Sequence, residues 1–201
     1  MKLVDHHVAT EGIAPYLSEC NHLYEYIFAR NGIFIHARNE VMEVLAPLVM
    51  IRWQSRQIRG LIELTPFLKL PAKVPAEILE LIINISREYS PDEVLFYINY
   101  LSNQVTTKWK LSIPIQDTGH AFCKPLDNPG YIPIEVHSHN TMQADFSSID
   151  DKDENGLRIY GVLGHIDQEV VDLKVRVSIY GHYSVLPYSF VFEPISEVRD
   201  A

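Results

Sequence analysis

The chain has 201 residues, of which 47% are hydrophobic and 21% charged, and its formal net charge is −9. This composition excludes an intrinsically disordered chain, and the length suffices for a core that needs no disulfide staple. An acidic balance of this size repels phosphate backbones and argues against nucleic acid as a partner.

Residues Met1–Gly12 lack the apolar core of a signal peptide, and Pro47 interrupts the longest apolar run, Val44–Ile51. That run is far shorter than the roughly 20 residues of a bilayer span. Cys20 and Cys123 stand far apart and in no paired motif. Both read as small buried apolar side chains, and isolated thiols fit the reducing cytoplasm.

In chain order, Leu23–Ala29 and Ile33–Ala37 flank Arg30-Asn31-Gly32. Asn-Gly supplies the positive φ angles of a tight turn, so a β-hairpin is expected here. More β-type sequence follows at Leu45–Trp53 and Gln57–Leu64. The stretch Leu70–Pro75 carries two prolines and predicts a boundary between a β-rich region at 1–70 and a domain at 71–195, with a tail at 196–201. Pro75 suits a helix start, and Ile78, Leu79, Ile82, Ile83 and Ile85 recur near helical spacing, which predicts a helix over Ala76–Glu88.

Ser90-Pro91-Asp92 ends that helix, and Glu93–Leu101 reads as a strand. Further strands are expected at Lys108–Ile115, Tyr131–Ser138, Leu157–Ile166, Asp172–Tyr180 and Tyr183–Phe192, with a helical segment near Ser147–Asn155. A helix followed by mostly antiparallel strands predicts an α+β domain.

The chemistry concentrates in Glu135–Asn140 and Phe146–Asp151. Residues i and i+2 of a strand share a face, so His137 and His139 can turn both imidazoles to one point. Asp150, at a helix start, can add a carboxylate. Three protein ligands with an open fourth position mark a catalytic rather than a structural zinc site. Each half has a plainer reading: two edge-strand histidines, and a Ser147 helix cap with an acid in the first turn. His-Glu-x-x-His is absent, two lone cysteines cannot supply a zinc deaminase, and Thr141 and Met142 break a His-x-His-x-Asp-His pattern.

His-x-His, seven residues, then Ser-x-x-Asp is similar to the JAMM signature of JAB/MPN-plus metallopeptidases. The resemblance extends to the PRTRC system protein A family through HSHNTMQADFSSIDDKDENG, Tyr160–Gly164, Gly181–Tyr183 and Leu186-Pro187, and it covers roughly Pro75–Pro194. It implies a JAB/MPN-type mixed sheet flanked by helices (cytidine-deaminase-like) and one Zn2+ on His137, His139 and Asp150. It also implies Glu93 as the general base, and Ser147 beside the metal as the donor to the oxyanion. The implied activity is that of a zinc peptidase or isopeptidase acting on a ubiquitin-like protein or its conjugates, with a ThiF/E1-like protein as a further partner.

Asn140, Phe146 and Phe96 stand where many such enzymes carry Pro, Pro and Gly, at positions that shape the substrate groove. The alternative implied function is an inactive MPN-type scaffold or a module that binds a ubiquitin-like protein. N/O ligands of this kind also accept other divalent ions. Asp145 and Glu135 are candidates to orient a ligand imidazole, while Asp151, Asp153 and Glu154 read as a solvated acidic face. His165 and His182 read as structural histidines, and His6, His7, His22, His36 and His120 as surface or loop residues.

Overall fold

The computed structural model describes residues 3–11, 22–51, 60–102, 107–127 and 130–201. Cys20, Trp53 and residues 57–59 of the expected strands lie outside the described residues. The chain divides into two compact units, Met1–Pro71 and Ala72–Ala201.

The first unit is a five-stranded sheet of β1 (Val4–Val8), β2 (Tyr24–Ala29), β3 (Gly32–Arg38), β4 (Glu43–Met50) and β5 (Phe67–Lys69), in that order. β1 and β2 are parallel and the other pairs antiparallel. Alternate residues of β2 are buried, so Ile27 and Ala29 join Ala9, Phe34 and Leu45 in the core.

The hairpin turn differs from the expected one. Its two loop residues are Arg30 and Asn31, because Ala29 pairs with Gly32. Asn31 holds the turn through its side chain, donating from Nδ2 to the Leu64 carbonyl at 2.8 Å and accepting the Leu64 N–H at 3.0 Å. Gly32, with φ 155°, opens β3 where a side chain would collide with the Val49 carbonyl.

His36 is no surface residue. It is fully buried on β3, with Nδ1 2.6 Å from Glu25 Oε1 and Nε2 3.1 Å from Glu43 Oε1. Glu25 also meets His7 at 2.8 Å, and Glu43 meets Lys69 at 3.1 Å, so two carboxylates are held by a chain of donors. His36→Ala should therefore strand buried acceptors and lower the stability of this unit by about 3 kcal/mol, read as a shift in its urea midpoint.

The second unit begins with α1 (Ala76–Tyr89), which buries Leu79, Ile82, Ile83 and Ser86 at the i, i+3, i+4, i+7 spacing of one helix face. Arg87 anchors its end to the Ile166 and Gln168 carbonyls at 2.8 and 2.9 Å. The main sheet contains β6 (Leu95–Ser102), β7 (Thr107–Ser112), β10 (Ile134–Ser138), β11 (Leu157–Gly164), β12 (Val171–Ile179) and β13 (His182–Leu186), ordered β13-β12-β11-β10-β6-β7. β14 (Val198–Asp200) pairs with β12, and β8 (Gln116–Gly119) with β9 (Phe122–Pro125) forms a separate hairpin.

The helix-flanked JAB/MPN-type (cytidine-deaminase-like) α+β architecture is overturned, because the chain is mostly β, with three sheets. Among the described residues only α1 and the four-residue α2 (Asp150–Asp153) are α-helical. A single segment sustains a helical apolar period over several turns, whereas the strands either alternate, as β12 does, or run apolar in short stretches, as β6 does. The Ser147–Asn155 segment contracts to that one turn. The expected Lys108–Ile115 strand stops at Ser112, and the chain re-forms as β8 after Pro114. The last expected strand stops at Leu186, where Pro187 leads into a 3-10 turn at Tyr188–Phe190.

Candidate metal centre

β10 and β11 are parallel, so residues 139–156 must cross over between them. That crossover brings Asp150 back to the end of β10, where His137 and His139 stand. The donor atoms of His137, His139 and Asp150 all lie within 4.8 Å of one another. His137 Nε2 is 3.1 Å from His139 Nε2 and 3.6 Å from Asp150 Oδ1. Two ligands at zinc bond lengths in a tetrahedron stand about 3.3 Å apart, between these separations, so the donor set fits such an ion.

The histidines are prepared for that role. His139 directs Nδ1 to the Gln143 carbonyl at 3.3 Å, which as donor to that oxygen leaves Nε2 free to ligate. Burial, reinforced by His139 and Arg176 against the opposing Asp150, pushes the His137 imidazole down to about 4. It is neutral near pH 7, the form that binds a metal.

Gly164 packs directly on the loop that supplies the Gln143 carbonyl. A Cβ there would meet the backbone of Met142, Gln143 and Ala144 too closely to fit. Gly164→Ala should displace this carbonyl and weaken zinc binding about tenfold in a competitive chelator titration.

Asp150 is fixed by two devices. Its Oδ2 accepts the Ser147 N–H at 2.5 Å, and Ser147 Oγ accepts the N–H groups of Ile149 and Asp150 at 3.2 and 3.3 Å. Ser147 thus caps the turn while its own hydroxyl hydrogen stays available to donate. From β12, Arg176 donates to Glu154 at 2.9 Å and pairs with Asp151 at 2.8 Å. Its guanidinium lies 3.8 Å from the Phe146 ring centre and 4.2 Å from that of Tyr183. Asp151 and Glu154 therefore clamp α2 to the sheet: Asp151 and Asp153 stay exposed, as expected of a solvated face, whereas Glu154 is buried.

Glu93 precedes β6 instead of standing in it, with its N–H on the Gly119 carbonyl at 2.9 Å. Val94 and Ser138 exchange bonds at 3.0 Å, tying this segment to the His-x-His strand. Leu95 pairs with His137, so Glu93, two residues earlier, faces the same side. Glu93 is 3% exposed. Burial, and secondarily the Asp150 charge, push its carboxyl up to about 7.

Glu93, His137, His139, Ser147 and Asp150 line one cavity of about 700 Å3. Cys123 also lines it, half-buried, and burial pushes its thiol up, which makes it a poor nucleophile.

The two residues considered as supports for a ligand imidazole do neither job. Asp145 pairs with Lys174 at 2.5 Å, and Glu135 faces the cavity, its carboxyl pushed up to about 7 by burial against the opposing charge of Arg158. His165 is structural, with Nδ1 2.6 Å from Asp172. Arg176 escaped sequence reasoning because its partners are 22 and 25 residues away and meet it only through the fold. No helix among the described residues is long and apolar enough to cross a membrane. The chain matches no protein-family model, and no curated protein matches it.

Proposed function

We propose that the second unit is a zinc-dependent peptidase or isopeptidase with a JAMM-like site, acting on a ubiquitin-like protein or its conjugates. The observation that carries this reading is one cavity holding three convergent N/O donors together with a buried carboxyl shifted to about 7. Zinc bound there supplies a Lewis acid that acidifies water and polarises the scissile carbonyl.

The chain's own groups perform the proton transfers. Glu93 takes a proton from the attacking water and delivers it to the leaving amine as the C–N bond breaks, a task suited to a group that titrates near neutral pH. The Ser147 hydroxyl donates to the oxygen that gains negative charge. The ubiquitin-like substrate, the ThiF/E1-like partner and the cytoplasmic location rest on the motif resemblance and the isolated cysteines.

The test is cleavage of a ubiquitin-like fusion by protein loaded with one zinc per chain. Cleavage that stops on chelation and returns with zinc supports the hydrolase. Stoichiometric zinc without cleavage leaves a binding module.

A further inference from the structure

The cavity continues beyond the metal ligands onto a row of side chains that the hydrolysis does not use. Glu135 and His137 are two residues apart on β10, so both face the cavity, about 7 Å from each other along the strand. Glu135 is directly paired with Tyr97 on β6 and with Tyr160 on β11. Residues in direct cross-strand register share a face at close range. A carboxylate thus lies between two tyrosines on the cavity floor, one row away from the ligand histidine.

Three observations say what this row recognises. Among the described residues the Glu135 carboxylate has neither a hydrogen bond nor an ion pair, although it lies in the cavity wall. Tyr97 is 4% exposed, yet its hydroxyl takes no partner among the described residues and opens into the same cavity. The cavity wall as a whole carries Glu93, Asp127, Glu135, Asp150, Asp153 and Glu154 against only Lys124 and Arg158 among permanent charges. Arg158 lies over the Tyr131 ring at 5.7 Å and donates to the Gly130 carbonyl at 3.4 Å, and its charge acts on Glu135 from the cavity wall without an ion pair at contact distance.

A half-buried acceptor between two aromatic residues, beside an unmet hydroxyl, suits a donor that carries positive charge, because the rings attract a cation and the carboxylate pairs with it. A carboxylate substrate would be repelled, and an aliphatic one would leave both polar groups unpaired.

We propose that Tyr97, Glu135 and Tyr160 form a specificity subsite for the ammonium group of a lysine side chain next to the scissile bond. The spacing suits this occupant: the lysine stem spans about the two-residue strand repeat that separates Glu135 from His137. The inference rests on the metal-dependent reading of His137, His139 and Asp150 and adds the substrate class to it.

The test uses zinc-loaded protein and two probes that anchor on zinc through the same hydroxamate, 6-aminohexanehydroxamate and hexanehydroxamate, with affinities measured by calorimetry. The ammonium-tailed probe is expected to bind at least tenfold more tightly. Glu135→Gln is expected to bring the ratio close to one while leaving the affinity for hexanehydroxamate unchanged.

Equal binding of both probes to the wild type overturns the subsite and leaves the metal centre standing. So does a preference that survives Glu135→Gln. If neither probe binds and the protein retains no zinc, the metal centre fails and the subsite with it.

Discussion

Glu93→Gln is expected to lower kcat by a factor of about 10^2–10^4 while zinc stays at one equivalent per chain, since that is the usual worth of a positioned general base. Gln keeps the shape of Glu and loses only the ability to accept the proton. Glu93 is none of the three donors, so metal content should not follow activity.

Stability should move the other way. The folded-state carboxyl is raised from 4.5 to about 7 by burial and by Asp150. Between those pH values the native protein holds a proton that the unfolded chain has released. Stability from this group is therefore lost as pH rises through that window. Above about pH 7 the ionised, buried Glu93 costs on the order of 3 kcal/mol. Metal-free Glu93→Gln should accordingly melt higher than the metal-free parent at pH 8, and the difference should vanish near pH 4. A variant that loses activity and gains stability marks a residue kept for chemistry. If the variant retains full turnover, the base is another group; if it melts lower at pH 8, burial does not strain this carboxyl.

The site was more legible than the fold, and for a physical reason. His137, His139, Ser147 and Asp150 fall within fourteen residues, so strand parity and one short crossover suffice to bring them together. α1 was legible too, because Ile78, Leu79, Ile82, Ile83 and Ile85 recur near helical spacing. The β8–β9 hairpin was not. Each strand is only four residues long, and its turn at His120-Ala121 carries no Asn-Gly or Asp-Gly signal. His36 looked like a surface residue because Glu25 and Glu43 reach it only through the register of β2, β3 and β4. The Arg176 clamp was hidden in the same way. The helix-flanked sheet came from the resemblance: the apolar period along the chain supplies α1 alone, and the helical segment expected near Ser147–Asn155 shrinks to the four residues of α2.

The double variant His137→Ala, His139→Ala should bring bound zinc from one equivalent to below about a tenth, and turnover to background. Two of three protein ligands go, and a lone carboxylate on a short turn holds a transition metal poorly. Asp150 is the weaker choice for this test, because it also accepts the Ser147 N–H and so shapes the turn on which it sits. The histidines have no comparable structural duty: Ser138 between them, buried and bonded to Val94, holds the strand end. The metal-free variant should therefore keep the β-rich circular dichroism of the parent. Excess zinc should stabilise the parent by RT ln(1 + [Zn]/Kd), about 4 kcal/mol at a thousandfold excess over Kd, and leave the variant's melting temperature unchanged. If zinc remains stoichiometric in the variant, the ion sits elsewhere. If zinc is lost but cleavage persists, the hydrolysis does not use this centre, and Glu93 has to act on water that no metal has acidified.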